Sequence, residues 1–182
     1  RLENILAGRL WQNWRIVASG CAAVWAQENT REAIFDAMKR REVYATTGSR
    51  ISVRFFGGWS YEADDIYHAN YLDKAYGQGV PMGGDLTAGP EDKAPNFMVL
   101  AVKDPDGANL DRVQIIKGWL DDNGRSHEKV YDVAWSKHRK VDAETGRLEL
   151  VGNTVDAESA TFNNSIGETQ LATVWQDPDF NA

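Results

Sequence analysis

Scarcity narrows the reading of this 182-residue chain before any motif does. Cysteine occurs once, at position 21, so no internal disulfide and no thiolate metal cluster can form. Cys21 sits in a small, apolar run, Ala18 to Ala26, with no His or cation beside it, which predicts a buried structural residue and not a reactive thiol. Histidine occurs at 68, 127 and 138 only, and no two lie within four residues of each other. Helical His pairs and His-x-His ligand motifs are therefore absent, and each histidine reads as a surface or hydrogen-bonded residue. No apolar run approaches the roughly 20 residues that span a bilayer. The longest, Ile16 to Ala26, is interrupted by Ser19, Gly20 and Cys21 and lacks a signal-peptide cleavage pattern, so no membrane partner is expected. No basic run is interleaved with aromatics, which argues against nucleic acid as a partner.

What the chain does contain is 42% apolar residues at a mean hydropathy of -0.50, enough for a soluble protein with a sizeable core. Its net charge of -7 is unevenly spread. Residues 1–54 hold nine Lys/Arg and five Asp/Glu, a balance of +4; residues 55–182 hold eleven and twenty-two, a balance of -11. Two different surfaces, and two structural units, are expected.

The clearest local pattern runs from Asn29 to Ile51. Asn29 and Glu32 have the spacing of a reciprocal helix cap. Ala33, Ile34, Ala37 and Met38 make an apolar stripe, and Lys39, Arg40 and Arg41 complement the negative helix end. That basic run reads first as a solvated helix terminus; the sharper alternative is a site for a phosphate or carboxylate. Val43–Ala45 and Ile51–Phe56 read as strands, the second ended by Gly57-Gly58. Asp64–Tyr76 predicts a second helix closed by Gly77 or Gly79. Beyond it strands dominate: Phe97–Val102 as a central one, Arg112–Leu120 and Lys129–Trp135 as a hairpin across Asp121-Asp122-Asn123-Gly124, then 148–151, 159–162 and Gln170–Trp175. Short strands with regular turns predict an α+β chain that is mostly an antiparallel β-sandwich.

Chemistry-bearing patterns are thin. Asp104, Asp106 and Asp111 around Gly107 lack the spacing of a full calcium loop, and Asp-Pro-Asp-Gly is a sufficient turn by itself. Ser19, Ser159 and Ser165 have no nucleophile-elbow context, and Gly83-Gly84 leads into no phosphate-binding helix. No catalytic residue and no metal ligand is assigned. Seven Trp residues read as core, with a carbohydrate-binding face on Trp59, Trp119 and Trp135 as the alternative.

Several runs, taken in order, carry a resemblance: AAVWAQENTREAIFDAMKRREVYATTGSRISVRFFGGW, GVPMGGDL, KDPDGANLDRVQIIKGW, HEKVYDVAW, VGNTVD and NSIGETQLATVW. Together they cover most of the chain. It resembles an uncharacterised bacterial family of large proteins, described as a domain of unknown function related to the PHP (polymerase and histidinol phosphatase) metal-dependent phosphoesterases. The resemblance implies a piece of a longer protein whose metal-binding His and Asp motifs lie upstream of Arg1. On that reading residues 1–50 are the helix–strand remnant of a PHP-like barrel domain and residues 51–182 a β-rich sandwich domain. The fragment is then an accessory portion, not catalytic alone, of a bacterial metal-dependent hydrolase, cytoplasmic or periplasmic. It carries no cofactor itself, and the divalent metal belongs to the full-length parent. Its partners are the upstream PHP-like domain or, through a subunit-interaction face, a second copy. Thr46, Thr47, Gly48 and Arg50 would border the missing site and offer hydroxyl, N–H and guanidinium groups to an anion or substrate.

Overall fold

A computed structural model describes residues 20–137 and 139–180, together with the backbone of two short strands near the start. In chain order the elements are β1 (Asn4–Leu6), β2 (Arg9–Trp11), β3 (Cys21–Val24), α1 (Arg31–Lys39), β4 (Val43–Thr46) and β5 (Ser52–Gly58). A 3-10 turn (Asp65–Tyr67), α2 (Tyr71–Gln78), β6 (Gly79–Pro81) and β7 (Asn96–Val102) follow. The long hairpin β8 (Arg112–Leu120) and β9 (Ser126–Trp135) and the last strand β10 (Gln170–Gln176) complete the order.

The near-continuous apolar run of β7 is explained by its place. It lies between β10 and β5 in a four-stranded antiparallel sheet of order β10-β7-β5-β6, so both of its edges are paired, and Met98 on one face and Val99 and Ala101 on the other are buried. Register pairs Phe56 with Met98 and Val174 with Met98. With side chains alternating along each strand, these fall on one face. There Phe56, Met98, Tyr61, Ile66 and Ala75 form the main core, sealed by α2 and the 3-10 turn. A second cluster, Ala101, Leu110 and Leu171, gathers Ile51, Val113 and Ala134 on the other face. The β8–β9 hairpin closes that side, where Tyr131 packs on Trp175 at 4.9 Å between ring centroids. The class is α+β, mostly antiparallel β, as the sequence predicts.

β3 and β4 form a separate antiparallel pair, Cys21 opposite Thr46 and Val24 opposite Val43, with α1 between them in sequence. Ala37 of α1 is fully buried, whereas Phe35 and Met38 are 63% and 57% exposed. The apolar stripe is thus only partly covered, and the α1–β4 unit meets the main sheet through polar groups described below.

Several expectations are corrected. The cap of α1 is Thr30, whose Oγ1 accepts from the Ala33 N–H at 3.3 Å, not Asn29. Cys21 is exposed on β3, not buried. β5 does end at the glycine pair, but Gly57 and Gly58 are its last two residues and not a break before it: they pair with Val80 and Gly79 of β6. The reason is steric. The Tyr61 ring lies against this glycine ladder and donates its hydroxyl to the Ala75 carbonyl at 2.6 Å, and a β-carbon at Gly79 would collide with that ring and with the Gly57 carbonyl. The single helix expected over Asp64–Tyr76 is two pieces, because His68 is extended (φ -77°, ψ 144°) and breaks the run.

The strands expected at 148–151 and 159–162 do not form either; only single bridges join Val141 to Leu148 and Asp156 to Thr161. Side chains take over the backbone's hydrogen bonds there. Asp142 accepts from the N–H groups of Glu144 and Thr145, and Asp156 from those of Glu158 and Ser159. Arg139 ties this stretch to the hairpin, donating to the carbonyls of Glu149 (2.8 Å), Asp111 (2.6 Å) and Ser136 (3.1 Å). His138, read above as a surface or hydrogen-bonded residue, lies outside the described residues.

Candidate functional site

Where α1 ends, the chain turns sharply. Arg40 caps the helix, donating its N–H to Asp36 O, and Arg41 takes a left-handed conformation (φ 63°). Glu42 then returns its N–H to the Ala37 carbonyl at 3.1 Å and accepts the Trp25 N–H on its own carbonyl at 3.1 Å. Its side chain is thereby directed inward, and Glu42 is only 3% exposed. A buried carboxylate needs charge partners and donors, or it becomes protonated.

Three segments supply them. Arg54 of β5 donates from Nη1 to Glu42 Oε1 at 3.5 Å and to the Tyr76 hydroxyl oxygen at 3.0 Å. Arg40 reaches Glu42 Oε2 at 3.5 Å. Tyr76 of α2 donates its O–H to Glu42 Oε1. Trp25 completes the frame: its Nε1–H donates to the Val53 carbonyl at 2.9 Å, and its ring lies 3.4 Å below the Arg54 guanidinium carbon. Such stacking fixes a planar guanidinium without using its in-plane donors. Burial and the neighbouring Glu42 carboxylate push the Tyr76 hydroxyl above its ordinary pKa, so it stays a donor at neutral pH.

These groups line a cleft of about 360 Å³ with Ala26 and Gln27. Its charged members are Arg40, Arg54 and Glu42, a net charge of +1. Nearby, Gly83 (φ 78°) fits against Arg41 where a β-carbon would strike the Arg41 carbonyl, and Arg41 pairs with Asp85 at 3.1 Å. Of the basic run at the end of α1, Arg40 therefore borders the cleft and Arg41 braces the adjoining loop.

Thr46, Thr47, Gly48 and Arg50 lie at the other end of β4 from Glu42. Thr46 Oγ1 accepts from the Cys21 N–H at 3.3 Å, and Thr47, Gly48 and Arg50 are exposed. The Arg50 N–H donates to Asp104 Oδ2 at 2.6 Å. That hydrogen bond, with another from the Asp106 N–H, holds the Asp104 carboxyl below the usual range. A carboxylate thus faces the turn. In the same Asp-Pro-Asp-Gly loop, Lys103 Nζ donates to the carbonyls of Asp104, Pro105 and Gly107, at 2.7, 3.0 and 2.9 Å. The loop oxygens thereby already surround a cation.

Among the described residues no three His, Cys, Asp or Glu side chains group together in a way that could hold a metal ion. Of the tryptophans, Trp119 is 41% exposed and stacks on His127 at 5.4 Å between ring centroids. Trp59 and Trp135 are half-buried and donate their indole N–H groups to the carbonyls of Thr87 and Arg139. No helix among the described residues is long and apolar enough to cross a membrane.

The cleft was only partly visible in sequence. A carboxylate or phosphate site is the sharper alternative for the basic run Lys39–Arg41, and Arg40 of that run borders the cleft. Glu42, Arg54, Trp25 and Tyr76 come from separate segments and carry no shared spacing. A family model described as a protein of unknown function (DUF3604) matches residues 2–182. No curated protein and no solved structure matches the chain.

Proposed function

This chain belongs to the family of proteins of unknown function DUF3604, and on that premise we propose that it is the accessory portion of a PHP-like metal-dependent hydrolase. In this reading residues 1–50 end the catalytic domain, residues 51–182 form the β-rich accessory domain, and neither half is catalytic without the upstream portion. The observation that carries it is the position of the cleft. Glu42, Arg40 and Trp25 come from the first segment, Arg54 and Tyr76 from the second, so the cleft opens along the junction. A substrate group bound there would be presented to a catalytic centre supplied from upstream, while the chain's own residues bind and orient.

The test compares two proteins, this 182-residue chain and a longer chain with the upstream segment, each assayed with divalent metal on an aryl phosphate ester whose ring also carries a carboxylate for the cleft to hold. Turnover by the longer chain only is the expected result. Turnover by the 182-residue chain, or by neither protein, would overturn the proposal.

A further inference from the structure

We propose that the cleft between Trp25, Arg40, Glu42, Arg54 and Tyr76 binds the monoanionic oxyanion group of a small organic molecule, such as a carboxylate or a sulfate ester. The cleft alone supports this, independently of any hydrolase parentage.

The charge count comes first. Two guanidinium groups and one carboxylate leave +1, which a monoanion balances and a dianionic phosphate ester over-fills. Glu42 is not a competitor for the ligand but the buried post that positions both arginines. Its oxygens are met by Arg40 on one side and by Arg54 and Tyr76 on the other. The contacts from the arginines to Glu42, 3.5 Å each, are long, so neither guanidinium is saturated by it.

Donor geometry comes second. Arg54 uses only Nη1 among the described residues, and Trp25 covers one of its faces at 3.4 Å. Its Nε and Nη2 therefore remain as a fixed edge, the arrangement that recognises two oxygens of one oxyanion. Arg40, with its side chain 51% exposed, can swing to meet the same group.

Shape comes third. The cleft is about 360 Å³, larger than an inorganic ion needs, and Trp25 and Ala26 give it an apolar wall. An oxyanion carried on a small organic body fits both features.

Calorimetric titration of the 182-residue chain at pH 8.5 tests this with four probes: benzoate, phenyl sulfate, phenyl phosphate and neutral benzamide. At that pH phenyl phosphate is a dianion, since the second phosphate pKa is about 6. Benzoate and phenyl sulfate are expected to bind at one site, with benzamide and phenyl phosphate at least about tenfold weaker. Arg54→Lys keeps the charge but removes the planar fork, and should weaken benzoate by about tenfold. Should that variant fail to fold, Arg40→Gln, at a half-exposed position, is expected to weaken benzoate in the same direction. No saturable binding of benzoate up to about 10 mM would overturn the proposal. So would phenyl phosphate binding as tightly as benzoate, or unchanged affinity in the folded arginine variants. Hydrolysis is not read in these titrations, so their outcome stands apart from the activity comparison above.

Discussion

At the scale of single residues, the buried carboxylates Glu42, Asp65 and Asp177 each have a cationic partner. Asp65 is 2% exposed, accepts from the Glu62 N–H at 2.8 Å and pairs with Lys74 at 2.5 Å. Burial raises its pKa, but the Glu62 N–H and the Lys74 ammonium more than offset this, and the net shift is downward. A depressed folded-state pKa means the stabilisation is complete above the unfolded carboxylate value of about 4 and is lost as pH falls through the lower, folded value. Asp65→Asn should therefore cost about 3 kcal/mol at pH 7, at the low end for a broken buried pair because Lys74 is partly exposed. The gap between variant and parent should narrow as pH falls below about 4 and close only below the folded-state value. Urea unfolding at several pH values measures it; a gap independent of pH would contradict the assignment. Tyr61, beside the same carboxylate, is pushed up to about 12 by burial and by Asp65, so it remains a donor to Ala75 across this whole range.

At the scale of elements, hydrophobic period and turn chemistry were readable wherever the backbone pairs with itself. The span Arg112–Leu120 was legible from its composition and from the Asp121–Gly124 turn, and the central place of β7 from its apolar run. Legibility failed where side chains replace backbone partners. Residues 139–169 look strand-like in short pieces, yet Asp142, Asp156 and Arg139 hold them as braced loops. It failed at α1 by one position, because Asn29 and Thr30 are both good caps and spacing does not choose between them. The hydroxyl of Thr30 is the one that meets the Ala33 N–H. Thr30→Ala should accordingly lower thermal stability by about 1 kcal/mol, and Asn29→Ala by only a few tenths. Equal losses at the two positions would reject this assignment of the cap.

At the scale of the whole molecule, the change of charge near residue 54 falls close to where the separate β3–β4 pair gives way to the four-stranded sheet. Among the described residues the β3–α1–β4 segment meets the main sheet through Trp25 on Val53 and through Glu42 on Arg54 and Tyr76. Phe35 and Met38 stay largely exposed on the far side of α1. No sequence window could display such a junction, because its members lie at 25, 40, 42, 54 and 76 and are brought together by the register of β3 with β4 and by the packing of α2 on the sheet. The central claim is that this junction is built to hold an oxyanion. A crystal structure of the chain grown with saturating benzoate tests it most directly. The account predicts the carboxylate between the Arg54 edge and Arg40, with the ring against Trp25; a cleft that holds no benzoate at saturation would contradict it.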